Sequence, residues 1–272
     1  MRSLTVVKLG GSVITFKDRT PPQVNKPVVE RLAAELAGHN GPMIIVLGGG
    51  AHGHQPAHNY GFGDLSTTPA RLVAGIPHIR HNMNILSLSI EEALLRRGVP
   101  VVSLAPFSIA KLKNGTVSLF DMERVSCALK SGLVVMTHGD VCFDSERGAS
   151  ILSGDSLVML LANHFAADTV LIGTDVDGVY DQDPRLTPAA RLIPVLHMDE
   201  IGHAALHAGP SVSTDVTGGM ENKILELKHL TNQRAKVAVF NLAVANRLAD
   251  LLAGRDTVCT IIKLGTLEDH RR

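Results

Sequence analysis

Three segments of this 272-residue sequence set consecutive glycines beside a cationic side chain. They are VVKLGGS, with Lys8, Gly10, Gly11 and Ser12; GGGAHGHQPAHNYG, running from Gly48 to Gly61 with His52, His54 and His58; and STDVTGGMENKI, with Gly218, Gly219 and Lys223. Consecutive glycines let backbone N–H groups close on an anion, and a helix start adds the positive end of its dipole. Each segment also has a plainer reading, as a strand-to-loop turn or a capped helix with a surface lysine. Together the three point to several phosphates bound at once, and so to phosphoryl transfer. The Walker A pattern GxxxxGK[ST] is absent, which disfavours a P-loop enzyme.

The middle segment admits two other chemistries. Gly48, Gly50 and Gly53 satisfy GxGxxG, the dinucleotide fingerprint, but the stretch TPARLVAG lacks the acidic residue wanted about 20 positions further on. His54 and His58 stand four apart on a predicted helix, as metal-sharing histidines can, yet no neighbouring carboxylate or cysteine completes a ligand set. His52 and His58 read as solvated helix-surface residues.

The elements that must carry these turns follow from hydrophobic pattern. Short β-branched runs alternate with longer amphipathic segments, the mark of an α/β fold with a mostly parallel sheet flanked by helices. Strands are predicted at 4–9, 43–47, 100–104, 133–136, 169–173, 236–240 and 258–262. Helices are predicted at 25–37, 51–60, 70–97, 121–130, 154–166, 217–231 and 244–252, with a break near Pro77 because proline disfavours helix in the residue before it. KLKNGTVSL, with Asn-Gly at its centre, and CFDSERGASIL read as hairpins over one end of the sheet. TDVDGVYDQDPRLTP, rich in Asp and Pro, reads as an exposed loop and marks a soft division near residue 170.

Composition narrows the partners. Basic and acidic residues number 26 each, so no broad field for nucleic acid or an anionic membrane exists, and an anion site must be local. The three cysteines, Cys127, Cys142 and Cys259, form no CxxC pair, which fits a reducing cytoplasm better than a disulfide scaffold. No apolar run approaches the roughly 20 residues that span a bilayer.

Taken in order, VVKLGGSVITFKD, GGGAHGHQPAHNYG, HGD at 138–140, SGDS at 153–156, TDVDGVYDQDP and DVTGGMENKI resemble the amino acid kinase superfamily, and within it the isopentenyl phosphate kinases. The resemblance spans nearly the whole chain. KLGGS and TDVDG are shared across the superfamily, including acetylglutamate and uridylate kinases; Gly53-His54, the segment ending in Lys17-Asp18 and DVTGGM are more discriminating. Fosfomycin kinases, whose acceptor is a phosphonate, share GGGAxGH and are the alternative; a non-catalytic nucleotide sensor is disfavoured by retention of Lys8, Lys17, His54, Asp155 and Lys223. The chain departs from the family at His52, usually aromatic, at Ser156, usually Asp, and at FNLAV, where a glycine usually follows Asn241.

The resemblance implies ATP-dependent phosphorylation of isopentenyl phosphate for isoprenoid precursor synthesis by a cytoplasmic homodimer of one amino acid kinase domain. Its acceptor half is expected at about 1–168 and its nucleotide half at about 169–272. Gly49, Gly50, His54 and Gly139 would hold the acceptor phosphate, with Ile76, Ile79 and Met83 limiting the isoprenoid tail. ATP would meet Lys8, Gly10, Gly11, Ser12, Gly50, Thr174, Asp175, Tyr180, Asp183, Gly218, Gly219 and Lys223. Lys8 is expected at the bridging β,γ region, and Lys17 and Lys223 on the moving phosphoryl. Asp155 is expected to orient two of these lysines, the other reading being an N-cap for its helix. Few carboxylates converge, so Mg²⁺ is expected on phosphates and water rather than in a protein metal site.

Overall fold

The seven predicted β-branched runs become strands, and with the unpredicted Val195–His197 they lie side by side in one eight-stranded sheet. The computed structural model describes residues 3–198 and 224–264. In chain order the first half holds β1 (Thr5–Leu9), α1 (Gly11–Ile14), β2 (Thr15–Phe16), β3 (Gln23–Val24), α2 (Lys26–Ala37), β4 (Met43–Leu47), α3 (Gly50–Asn59), α4 (Pro69–Arg96) and β5 (Val101–Ser103). There follow α5 (Pro106–Ile109), β6 (Ala110–Lys113), β7 (Thr116–Phe120), α6 (Met122–Lys130), β8 (Val134–His138), β9 (Asp140–Asp144), β10 (Gly148–Leu152) and α7 (Gly154–His164). The last part holds β11 (Thr169–Thr174), β12 (Val195–His197), β13 (Lys236–Asn241), α8 (Arg247–Leu252) and β14 (Cys259–Lys263).

The main sheet runs β12-β14-β13-β11-β1-β4-β8-β5, and β11, β1, β4, β8 and β5 are parallel neighbours. Among the described residues its one antiparallel pair joins β13 to β14. Strand side chains alternate between faces. Val6, Ile44, Val46, Val170 and Ile172 pack beneath α7, while Val7, Leu9, Ile45, Leu47 and Leu171 pack against α2 and α4. The result is an α/β/α sandwich with a core on each face of the sheet, as the sequence predicts.

Three local expectations need correction. The helix at 69–96 does not break at Pro77, which lies inside α4. Proline there releases the carbonyl four residues back, at Val73, but both Pro77 and Val73 face solvent, where water can take the freed hydrogen bond. The loop after β11 is not wholly exposed: Val179 and Asp183 are buried, and the Val179 N–H donates to the buried Thr260 hydroxyl at 2.8 Å. His52 is buried rather than solvated, on the inner face of α3 with Pro56, whereas His58 is exposed. Burial lowers the His52 pKa, and its Nδ1 lacks a hydrogen-bond partner among the described residues.

The two predicted hairpins form, and they join as a second sheet, β10-β9-β6-β7. Asn114 and Gly115 both take positive φ, as a two-residue hairpin turn requires. The first seven residues of the helix predicted at 217–231 lie outside the described residues; the rest is helical at 224–226 and continues as a 3-10 turn at Leu227–His229.

Candidate active site

Parallel strands β1, β4, β8 and β11 end on one side of the sheet, and a cleft opens over those ends. In open α/β sheets that is where ligands bind. Two glycine turns meet at its floor. A side chain at Gly11 would come within 2.2 Å of the Gly50 nitrogen, so only glycine lets the β1 and β4 turns touch. The Thr15 hydroxyl locks the contact by donating to the Gly11 carbonyl at 2.8 Å and accepting from the Ala51 N–H at 3.1 Å.

Helices α3 and α7 both start at this floor. Their free N–H groups and dipoles make it attractive to anions. Lys8, at the end of β1, is 3 % exposed and ion-paired with Asp155 in the first turn of α7. The N-cap of α7 is Ser153, whose side chain accepts from the Ser156 N–H, so Asp155 is left to hold Lys8. Ser156 also donates to Glu226 at 3.2 Å. Lys17 reaches over the rim and binds Asp175 at 2.8 Å. Burial works against the charge of Asp175, but the contact with Lys17 outweighs it and holds the carboxyl below its ordinary pKa. Asp155 therefore orients Lys8 but not Lys17, and Lys223 lies outside the described residues.

Most of the sequence-predicted site residues come together. Lys8, Gly10, Gly11, Ser12, Lys17, Gly49, Gly50, His54, Ile79, Gly139, Asp155 and Thr174 all line the cleft. Asp175 stands beside it through Lys17. Tyr180 and Asp183 lie further along the loop, away from the cleft wall. Of the three apolar residues assigned to a tail, only Ile79 lines the cleft; Ile76 and Met83 are buried behind it, with the Met83 sulfur against Gly53. Gly218 and Gly219 are outside the described residues.

Sequence reading missed Thr15 and a buried cluster beneath the Gly139 turn. There the Asp140 carboxylate accepts from Arg80 Nη1 at 2.6 Å, from the Phe107 N–H at 3.2 Å and from the Val141 N–H at 3.0 Å. Burial is the largest influence on Asp140 and pushes its pKa up, against the pull of His138 and Arg80. One signal was available: Arg80 interrupts the apolar stripe of Ile76, Ile79 and Met83 on α4. Among the described residues no three carboxylates, histidines or cysteines are grouped to hold a metal, and Asp155 and Asp175 are engaged by lysines.

Comparison with known proteins supplies the family. The amino acid kinase family model matches residues 3–241. An isopentenyl phosphate kinase from Methanothermobacter thermautotrophicus is 33% identical over 261 residues, covering 93% of this chain and 96% of its own. The chain belongs to the isopentenyl phosphate kinase family of amino acid kinases. A second member, from Methanocaldococcus jannaschii, is 32% identical over 92% of this chain and 95% of its own. A solved isopentenyl phosphate kinase structure superposes with a TM-score of 0.82 at 32% identity, covering 95% of this chain and 99% of that one. Uridylate kinase from Ureaplasma parvum, at 18% identity and a TM-score of 0.66, shares the fold alone. No helix among the described residues of this family member is long and apolar enough to cross a membrane.

Proposed function

We propose that the chain transfers the terminal phosphoryl group of ATP to the phosphate of isopentenyl phosphate, giving isopentenyl diphosphate and ADP. One observation carries this reading: near full-length similarity to isopentenyl phosphate kinases coincides with a single cleft that gathers Lys8, Lys17, His54 and two helix starts. The relatives reported above carry that name, which favours a phosphate over a phosphonate acceptor.

An acceptor phosphate is already an anion near neutral pH, so its oxygen attacks without a general base. The new bond joins that oxygen to the γ-phosphorus, and the bond from the γ-phosphorus to the bridging oxygen of ADP breaks. His54 serves as a hydrogen-bond donor to the acceptor phosphate, beside the N–H groups of Gly49, Gly50 and Gly139. Ile79 faces the isoprenoid tail. ATP lies across Gly10, Gly11, Ser12 and Thr174, with Gly218, Gly219 and Lys223 contributing from outside the described residues.

The main electrostatic obstacle is the approach of two anions. Lys8, fixed by Asp155, offsets charge at the bridging region, and Lys17, tethered to Asp175 before the substrates arrive, follows the moving phosphoryl with Lys223. Mg²⁺ would be held mainly by the nucleotide's phosphates and water, and when bound it would offset part of their charge. The same reading gives the acceptor to residues up to about 168 and the nucleotide to those beyond. It makes the protein a cytoplasmic homodimer serving isoprenoid precursor synthesis through a mevalonate route.

The test is ADP release from Mg-ATP with isopentenyl phosphate, fosfomycin, uridylate or acetylglutamate as acceptor. Rapid turnover with isopentenyl phosphate alone is expected. Preference for fosfomycin would move the assignment to a phosphonate kinase, and release with none of the four would reject it.

A further inference from the structure

Asp140 is part of the cleft wall, yet its side chain is 0% exposed and its charge sits in protein rather than water. A buried carboxylate there is a liability. Charges in a low-dielectric interior are felt over many ångströms, and the acceptor on the other side of Gly139 is itself an anion. Arg80 meets that liability: its side chain is 15% exposed, its Nη1 is 2.6 Å from Asp140 Oδ2, and its Nη2 donates to Asn84 at 2.8 Å. The guanidinium also stacks over Phe107 at 5.6 Å. Asn84, Phe107 and Asp140 therefore fix the cation in one place. Neither residue enters the phosphoryl-transfer step described above.

We propose that Arg80 is a positioning and specificity residue that cancels the Asp140 charge behind the acceptor subsite, and so sets acceptor affinity without touching the substrate. This rests on the assignment of Gly49, His54 and Gly139 to the acceptor. The other titratable groups around Asp140 are His138 on β8 and Cys142 on β9, with Lys8, Lys17, His54 and Asp155 in the cleft. All of them are retained in the variants below, so ratios to wild type isolate the pair.

Steady-state kinetics of Arg80→Gln between pH 6.5 and 9 should show an acceptor KM at least about tenfold above wild type, while kcat and the ATP KM change by less than about threefold. The excess should grow with pH, because the abandoned carboxylate repels phosphate only when ionised, and burial delays its ionisation. Adding Asp140→Asn to Arg80→Gln should restore the acceptor KM, and Asp140→Asn alone should not raise it. A merely structural clamp predicts the reverse: both single variants impaired alike, the double variant no better, and no pH trend. That pattern overturns the proposal. Arg80→Lys keeps the charge and should hold the wild-type acceptor KM; a rise as large as that of Arg80→Gln overturns it even if the latter folds poorly. A rise confined to the ATP KM would show that the acceptor subsite is misplaced, whereas wild-type protein inert toward isopentenyl phosphate would reject the substrate itself.

Discussion

His54 and Ile79 test the cleft from its two chemical ends. His54 is half-buried one turn into α3 and lines the cleft, so His54→Ala removes a side-chain donor from its wall. If it grips the acceptor phosphate, kcat/KM for isopentenyl phosphate should fall by about 10²-fold with the melting temperature nearly unchanged. Unchanged kinetics would take His54 out of the mechanism. Ile79 is 1% exposed and is the one member of the predicted apolar trio on the cleft wall. Ile79→Ala should cost about 2–4 kcal/mol of stability and improve turnover of geranyl phosphate relative to isopentenyl phosphate. A folded variant with the parent's preference would show that the tail lies elsewhere. His54 lines the cleft as the family resemblance implies, although the residues alone also allowed a metal-sharing pair with His58. The burial of His52, two positions earlier, could not be read from sequence, because which face of α3 turns inward depends on how the helix packs on its neighbours.

At the scale of elements, Asp144 binds two hairpins into one sheet. Its carboxylate accepts from the Asn114 and Gly115 N–H groups in one turn, from the Glu146 and Arg147 N–H groups in the other, and from the Ser150 hydroxyl. Burial opposes its charge, but these donors prevail and hold its pKa well below the ordinary carboxylate range. Its stabilising contribution is complete above the unfolded value near pH 4 and is lost as pH falls through the depressed folded value. Asp144→Asn turns an NH₂ toward donors, and should cost about 2–4 kcal/mol at pH 7 in denaturant melts. The gap to wild type should be constant from pH 7 to pH 5 and shrink below about pH 4. A gap that widens in acid would contradict this. Each hairpin was legible, from Asn-Gly and from the glycine near the second turn. Their union was not, since nothing local announces that Asp144 will meet a turn 30 residues away. The same limit hid the pairing of Arg80 with Asp140, whereas the glycine turns stood out because close backbone contact leaves no other residue type possible.

Across the whole molecule, the proposed division between acceptor and nucleotide halves near residue 168 falls between two strands of one sheet. β1 is paired along its length to β4 on one side and to β11 on the other, Thr5 through Lys8 matching Thr169 through Ile172. Cutting there would bare one edge of β1 and strip both cores at once: Val170, Ile172 and Val237 leave one face, Leu171, Ala238 and Phe240 the other. The cleft would lose its floor as well, since Gly10 packs so closely on Gly173 that a side chain there would meet its carbonyl at 2.5 Å. An acceptor half and a nucleotide half can thus be distinct in chemistry without being separate in folding. Calorimetry should give one transition with calorimetric and van't Hoff enthalpies in agreement, and ATP should shift that transition as a whole. Residues 1–168 expressed alone should fail to melt cooperatively, because an exposed central strand and two open cores leave too little burial to offset chain entropy. A cooperative melt of that fragment, or two transitions of which ATP moves only one, would show instead that the halves are domains in their own right.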